Sequence, residues 1–174
     1  FQTPAGAANL LETPMFRDAV REGTLPSVDN RVPTEPSVVK LDGNKRVGRH
    51  GGDIKMLIGR ARDVRLLVVY GYARLVGYNE QFEIEPDILK AIDSDDDRVF
   101  TLHLRKGHRW SDGAPFTSED FRYWWEDVAN NPNLSPSGPP IDMLVDGQPP
   151  LFEVIDETTV RYSWTGPNPS FLER

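Results

Sequence analysis

The sequence predicts an α+β fold in which β-hairpins pack on short helices. Two pairs of segments alternate apolar with polar residues and are separated by polar turns, which is the pattern of hairpins with one buried face. A capped helix with an apolar stripe lies between these pairs. The 15 prolines and 14 glycines among 174 residues predict extensive loops around these elements.

Composition limits the class of protein. The net charge is −7, and the isoelectric point is about 5.0. An acidic chain is a poor partner for nucleic acid, because phosphate backbones are bound by basic surfaces. The absence of cysteine excludes disulfides, thiolate metal sites and a cysteine nucleophile. No apolar run approaches the roughly 18 residues that span a bilayer, so no membrane span is expected.

Residues 1–47 are predicted to form a lead-in segment. Thr13 is the expected N-cap of a short helix, with Pro14 at the first helical position, and Gly23 is expected to end it. Residues 24–40 contain three prolines and show no periodicity, so they are expected to run extended along a surface. A short helix and such a segment cannot form a domain alone, so they must pack on something else.

The segment from residue 48 to residue 87 contains one predicted strand, Asp53–Ile58, followed by a charged loop at residues 60–63. Residues 64–76 fit two patterns, because their β-branched content favours a strand whereas Leu67, Val68, Gly71 and Leu75 fit a helical stripe. The helix is the preferred prediction. A loop is predicted for Gly77–Pro86.

Two hairpins are predicted in the second half of the chain. Residues 88–92 and 98–104 flank an aspartate-rich turn, and residues 152–156 and 159–164 flank a second polar turn. The expected buried positions are Phe100, Leu102 and Leu104 in the first hairpin and Val160, Tyr162 and Trp164 in the second.

Ser111, Asp112 and Gly113 predict a tight turn before the capped helix. Thr117 is the expected N-cap, with acidic residues in the first turn. The stripe along the helix consists of Phe121, Trp124, Trp125 and Val128. Neighbouring residues on a helix point about 100° apart, so one of the adjacent tryptophans should face the core and the other its rim. After the long loop at residues 130–150, Asn168 is expected to cap a further helix with Pro169 in its first turn.

The sequence contains few candidates for chemistry. The spacing of the three histidines fits no metal motif, and the aspartates at residues 93–97 lack the glycine and glutamate of a calcium loop. Arg105, Lys106 and Arg109 form either a solvated turn or ion pairs with Glu119 and Asp120. The tryptophans belong to the core or stack on a ligand. No metal, no cofactor and no catalytic residue is expected.

The segment FTLHLRKGHRWSDGAPFTSEDFRYWWEDV at Phe100–Val128, here called the signature segment, resembles a recurring phrase of the bacterial extracellular solute-binding proteins of family 5. These are the oligopeptide-, dipeptide- and nickel-binding components of ABC importers. LFEVIDETTVRYSWTGPNPSFL at Leu151–Leu172 and the region Tyr72–Ile92 resemble the same family in the same order. The resemblance is good over residues 48–174 and loose over residues 13–47.

The resemblance implies a two-lobed periplasmic-binding-protein fold that closes on its ligand by a hinge. Family members are far longer than 174 residues, so this chain would be an N-terminal fragment. Residues 1–47 would be the lead-in, and residues 48–174 part of the N-terminal lobe with the family's small subdomain, truncated at its C-terminus. The signature segment would belong to that subdomain and would not touch the ligand.

The implied function is the non-catalytic capture of an oligopeptide or similar small solute in the periplasm, followed by delivery to an ABC transporter permease. The full-length protein is expected to be a monomer. The expected ligand contacts are Arg60, Ala61, Arg62 and Asp63, followed in rank by Tyr70 and Tyr72. The alternatives are an oligosaccharide- or opine-binding member of the same family, a carbohydrate-active enzyme domain with an aromatic cleft, and an independent interaction module with a closed core.

Overall fold

The computed structural model describes residues 10–39, 41, 43–67 and 73–173. The chain divides into two compact units. The first unit comprises Phe1–Pro33 and Val38–Tyr72, and the second comprises Thr34–Ser37 and Ala73–Arg174. This division does not test the domain boundary predicted between residues 47 and 48, which stays a prediction.

The first unit consists of short helical turns joined by irregular backbone. A 3-10 turn at Pro14–Phe16 continues into α1, Arg17–Arg21, and α2 follows at Val28–Arg31. A second 3-10 helix spans Ala61–Leu67. None of the described residues of this unit is buried, so the unit contains no described core.

The start of the first helix follows the prediction in its backbone. Pro14 occupies the first turn and Thr13 the N-cap position, but the Thr13 side chain makes no capping hydrogen bond. Gly23 has a φ of +73° just after α1, a conformation that glycine adopts without steric cost and that commonly ends a helix. The extended path predicted for residues 24–40 is wrong at Val28–Arg31, where α2 forms one turn.

Two predictions between residues 53 and 86 are wrong, and a third is confirmed only in part. Asp53–Ile58 forms no strand, and Leu57 is fully exposed at 103%. A strand needs a partner for its backbone N–H and C=O groups, and no described segment pairs with this one. The helix preferred for residues 64–76 is present as a 3-10 helix up to Leu67 but not at Val76, where a strand begins, and residues 68–72 lie outside the described residues. The loop predicted at Gly77–Pro86 contains strand at both ends.

The second unit holds two antiparallel sheets. The small one pairs β1, Val76–Tyr78, with β2, Ile84–Pro86. The larger one comprises β3 (Leu89–Asp95), β4 (Val99–Leu104), β5 (Leu151–Asp156) and β6 (Thr159–Ser163). Its strand order is β3-β4-β6-β5. Both predicted hairpins are therefore confirmed, and the two join edge to edge through β4 and β6.

One face of the larger sheet forms the core. Phe100 lies opposite Tyr162 and Leu102 opposite Val160, so these four side chains point to the same face, because side chains alternate along a strand. All six positions predicted to be buried in the hairpins are buried. The residues that complete the core cluster are Leu89, Trp125, Ala129 and Met143.

The predicted capped helix packs over this face, and it changes from an α-helix to a π-helix along its length. It begins as α3, Ser118–Arg122, and continues as a π-helix over Tyr123–Ala129. At its end, the backbone N–H of Asn130 and its side-chain amide both donate to the carbonyl of Trp125, five residues earlier, at 3.1 and 2.7 Å. Trp125 is buried at 7% exposure and Trp124 is 38% exposed, so the prediction of one core tryptophan and one rim tryptophan is confirmed.

The loop at residues 130–150 is tied to the sheet by hydrogen bonds to its carbonyl groups. Trp164 Nε1 donates to the Met143 carbonyl at 2.8 Å, and Asn168 Nδ2 donates to the Asp142 carbonyl at 3.0 Å. The Asn168 N–H donates to the Asp97 carbonyl at 2.7 Å. The predicted helix after Asn168 is a 3-10 turn at Phe171–Glu173, and the side-chain amide of Asn168 donates to the loop instead of capping that turn.

A four-residue piece of the lead-in, Thr34–Ser37, belongs to the second unit. The Glu35 carboxylate pairs with Lys90 at 2.8 Å, and the Glu35 N–H donates to the Lys106 carbonyl at 3.4 Å. Thr34 packs directly on Gly107, where an added Cβ would lie 2.5 Å from Thr34 Oγ1 and 2.7 Å from Thr34 N. Because Gly107 has no side chain, the backbone of the lead-in at Thr34 can lie close to the signature segment.

We expect Gly107→Ala to destabilise the protein more than Gly113→Ala. Both glycines have positive φ, +87° and +92°, so both substitutions strain the backbone, but only a Cβ at Gly107 meets other atoms within 4 Å. The strain shared by both should cost about 1 kcal/mol, and the contact with Thr34 should add a further loss at Gly107. Urea unfolding measures both changes, and equal losses would show that Thr34 does not pack on Gly107 in solution.

Candidate functional site

The predicted ligand loop begins with a tight turn. Asp63 N–H donates to the Arg60 carbonyl at 2.9 Å, and the Asp63 carboxylate accepts from the Arg60 N–H at 3.0 Å. Arg60, Ala61 and Arg62 are exposed and Asp63 is half-buried. The structure therefore brings Arg60 and Asp63 together through the backbone and presents two guanidinium groups at the surface.

The second-rank candidates Tyr70 and Tyr72 lie outside the described residues. Their role as ligand contacts stays a prediction.

The described residues of the second unit form a groove of about 870 Å³. Its floor is formed by Leu102 and Tyr162 of the central strands. Apolar and aromatic side chains dominate its walls, and they come from β1, the signature segment, the loop at residues 130–150 and the last 3-10 turn. Its walls include Val76, Tyr78, Phe121, Trp124, Phe171 and Leu172.

Sequence reasoning did not find this groove. Four separated segments form its walls, and one of them, β1, was predicted as the junction of a helix and a loop. One feature of the sequence could have indicated the groove. Phe116, Phe121 and Trp124 are more large apolar residues than one narrow helical stripe can bury in the core.

A hydrogen-bonded network centred on Asp120 joins the parts of the signature segment. One carboxylate oxygen accepts from Trp110 Nε1 at 2.9 Å, and the other accepts from the N–H of Thr117 at 2.8 Å. Thr117 Oγ1 accepts from the Glu119 N–H at 3.3 Å, which completes a capping box. The side chain of Asp120 therefore fixes the helix start and the preceding turn together.

The turn before the helix has the predicted chemistry. Gly113 has positive φ, and the Asp112 carboxylate accepts from the Ala114 N–H at 2.9 Å. Trp110 N–H donates to the Ala114 carbonyl at 2.8 Å. This closed turn places Trp110 where its indole reaches Asp120.

The ion pairs considered between the basic cluster and the helix start are not formed. Arg105 and Arg109 donate to the carbonyls of Asp87 and Gly113, both at 2.8 Å. Glu119 instead pairs with Arg122, whose hydrogen bonds hold the pKa of the Glu119 carboxyl below its usual value. Arg105 and Arg109 thus brace loops, and α3 carries its own ion pairs.

His108 of the signature segment is half-buried beside Phe116, with the two rings edge to face at 6.4 Å. Its Nε2 is buried and has no hydrogen-bond partner in the part of the chain that is described. Burial lowers the pKa of His108, the nearby Arg105 charge lowers it further, and Asp87 acts in the opposite direction. The packing therefore favours the neutral imidazole.

Within residues 10–39, 41, 43–67 and 73–173, no three histidine, aspartate or glutamate side chains are placed to hold a metal ion. The same residues include no helix with the length and apolarity that crossing a bilayer requires.

Comparison with known proteins identifies the family. A sequence model of the "Bacterial extracellular solute-binding proteins, family 5 Middle" matches residues 83–174, just over half of the chain. The chain therefore belongs to the bacterial extracellular solute-binding proteins of family 5, as the signature segment predicted.

Two curated relatives share sequence with much of the chain. The periplasmic alpha-galactoside-binding protein of Rhizobium meliloti (strain 1021) is 30% identical over 167 residues, covering 83% of this chain and 24% of the relative. The periplasmic oligopeptide-binding protein OppA of Escherichia coli (strain K12) is 32% identical over 100 residues, covering 51% of this chain and 18% of OppA. The chain thus spans about a quarter or less of these relatives.

Among solved structures, an oligopeptide-binding protein OppA superposes with a TM-score of 0.78 and 30% sequence identity, covering 98% of this chain and 26% of that chain. The predicted fold class is therefore confirmed: the chain has mixed helix and sheet and matches part of a periplasmic-binding-protein fold.

We expect Asp120→Ala to lower the free energy of unfolding by about 2 kcal/mol, because it removes half of a capping box and the acceptor of the Trp110 indole. Asp53→Ala removes the same charge from an exposed residue of the first unit and should change stability little. Urea unfolding followed by fluorescence measures both. Similar losses for the two variants would contradict the role assigned to Asp120.

Acid should destabilise the protein through His108. The unfolded chain binds a proton near the ordinary histidine pKa of about 6.5, whereas the folded chain resists protonation at His108, so stability falls as the pH drops through that value. His108→Gln should reduce the stability difference measured by urea unfolding between about pH 7.5 and pH 5.

The matched control for this pH experiment is His50→Gln, at an exposed position of the first unit. An unchanged pH difference in His108→Gln, or the same reduction in both variants, would show that the burial of His108 is not the cause.

Proposed function

We propose that this chain is part of the substrate-binding component of an ABC importer, which captures an oligopeptide or similar small solute in the periplasm and delivers it to the permease. The observation that carries the proposal is the superposition on an oligopeptide-binding protein over 98% of the chain with a TM-score of 0.78. The identity to the oligopeptide-binding protein of Escherichia coli supports the same solute class. Binding without chemistry is the proposed mode of action, and the full-length protein is proposed to act as a monomer.

The proposed ligand contacts within this chain are Arg60, Ala61, Arg62 and Asp63, with Tyr70 and Tyr72 second. A guanidinium binds a carboxylate through two parallel hydrogen bonds, and a peptide always offers a carboxylate at its C-terminus or in acidic side chains. The turn between Arg60 and Asp63 fixes the backbone from which these side chains project. This geometry supports a role in orienting an extended, charged solute.

An oligosaccharide is the second candidate, and one observation favours it. A relative that shares 167 residues with this chain is an alpha-galactoside-binding protein. A sugar would be held by aromatic faces and by hydrogen bonds to hydroxyl groups, so Tyr70 and Tyr72 would matter more than the two arginines. No feature of the described residues favours the carbohydrate-active enzyme or an opine ligand.

The solute class is tested on the whole protein purified from its producing cell. Native mass spectrometry should reveal a retained small molecule whose mass and fragments match a peptide. A retained sugar would transfer the proposal to the oligosaccharide candidate. Turnover of a glycoside by the purified protein would overturn the binding function altogether.

The proposed site is tested by calorimetry with the identified solute. Arg60→Ala should weaken binding by about tenfold, which corresponds to about 1.4 kcal/mol. Arg49→Ala is the matched control, since Arg49 is also an exposed arginine of the first unit. If Arg60→Ala binds the solute as tightly as the wild type does, the loop is not part of the site. The proposed function would be unaffected, because the wild type still binds the solute.

A further inference from the structure

Positive charge is concentrated in one stretch of this acidic chain. Residues 43–67 contain seven arginines and lysines against two aspartates, whereas the remaining residues contain thirteen arginines and lysines against twenty-five aspartates and glutamates. The summed charges of a local surface set which ions it attracts, whatever the sign of the whole chain. The net charge of −7 therefore conceals a stretch that attracts anions.

The 3-10 helix at Ala61–Leu67 brings two of these arginines to one face. A 3-10 helix has three residues per turn, so side chains three positions apart are eclipsed, and it rises about 2.0 Å per residue. Arg62 and Arg65 are three positions apart, which places their backbones about 6 Å apart along the helix axis. Both residues are exposed, so two guanidinium groups project side by side from the same face.

The charge of these two guanidinium groups is not balanced by the part of the chain that is described. Elsewhere in the first unit, Arg21 pairs with Asp18 at 2.9 Å. The carboxylate of Asp63, which lies between the two arginines in sequence, accepts from a backbone N–H of the preceding turn. No carboxylate of the described residues forms an ion pair with Arg62 or Arg65. Because like charges on one helical face repel each other, an anion bound between the two guanidinium groups would relieve this repulsion.

A carboxylate has the geometry that two neighbouring guanidinium groups require. Each guanidinium presents its N–H donors as a planar fork, and a carboxylate offers two oxygens with several lone pairs, so both forks can share one carboxylate. A neutral solute offers no such acceptor. If it excluded water from the two guanidinium groups, it would leave their charges without a partner, which is costly. The arrangement therefore favours an acid over its neutral analogue.

We propose that the side chains of Arg62 and Arg65 form a carboxylate clamp, through which the importer selects solutes that carry a carboxylate over neutral ones. Arg65 then determines specificity, beside the ligand contacts proposed above. This inference rests on the proposed importer function and narrows its solute to a carboxylate-bearing class. The carboxylate is that of a peptide or that of a sugar acid.

The test is a competition for the whole protein. It is incubated with an equimolar mixture of random tetrapeptides with free C-termini and the same peptides with C-terminal amides, and separately with oligogalacturonides mixed with neutral galactose oligosaccharides. The retained solutes are released by denaturation and quantified by liquid chromatography. In one of the two mixtures, we expect the acid to be retained about tenfold over its neutral counterpart. That mixture identifies the source of the carboxylate.

Variants of the clamp are compared by this ratio of acid to neutral solute. Arg65→Ala should bring the ratio close to unity, and Arg65→Lys should keep part of it, because lysine retains the charge but not the planar fork. Arg49→Ala is the matched control, since Arg49 is an exposed arginine of the same unit outside the 3-10 helix, and it should keep the ratio. A general loss of stability lowers the retention of both forms alike and leaves the ratio unchanged.

The outcomes that overturn the clamp differ from those that overturn the importer function. If the wild type retains the neutral form as well as the acid, the clamp is wrong and the importer function stands. The same holds if Arg65→Ala keeps the preference, or if Arg49→Ala loses it too. If the protein retains nothing from either mixture, the proposed function is contradicted and the clamp falls with it.

Discussion

The pairing of β4 with β6 is the contact on which the second unit depends. It joins residues far apart in the chain, as in the contact of Arg161 with Thr101 across 60 positions. Closing such a loop costs entropy that grows only slowly with length, and the face shared by Phe100, Leu102, Val160 and Tyr162 offsets it by burying apolar area. β3 and β5 are attached to this pair by short turns, so they add strands at little further entropic cost.

The turn between β5 and β6 also places the signature segment. The Leu104 N–H donates to the Thr158 carbonyl at 2.7 Å, and the Ser118 N–H donates to the Glu157 carbonyl at 2.9 Å. The end of β4 and the start of α3 are therefore fixed to the same two residues of the opposite hairpin. The intervening chain must close on itself, which the bonds of Asp120 to Trp110 and Thr117 accomplish. The motif that identifies the family is thus a structural device.

Sequence patterns correctly predicted the elements that depend on interactions between residues close together in the chain. The alternation in both hairpins, the turn at Asp112 and Gly113, and the cap at Thr117 are each fixed within a few residues, and each is confirmed. The π-helix over Tyr123–Ala129 was missed, because its spacing of apolar residues looks like that of an α-helix. The close approach of Thr34 to Gly107 was missed as well, since it joins parts of the chain that no local pattern relates.

The errors between residues 53 and 86 have a different cause. Asp53–Ile58 has the composition of a strand, but a strand is stable only when a neighbour satisfies its backbone groups, and the described residues supply none. β1 and β2 are the opposite case. Their sequence patterns are weak, but the two short segments form a ribbon because each supplies hydrogen-bond partners for the backbone of the other. Pattern reasoning judges a segment alone, whereas sheet structure is a property of pairs.

A solute can be bound where polar groups are not already used by hydrogen bonds of the fold. A ligand site needs a few polar groups that the fold has left available to converge on the solute. In the groove, the carboxylate of Asp120 is engaged by the fold and most of the wall is apolar. At the Arg60 turn, the backbone and the Asp63 carboxylate make the fold's hydrogen bonds, and the arginine side chains project from the surface. Of these two places, the Arg60 turn offers the charged side chains that the proposed solute contacts require.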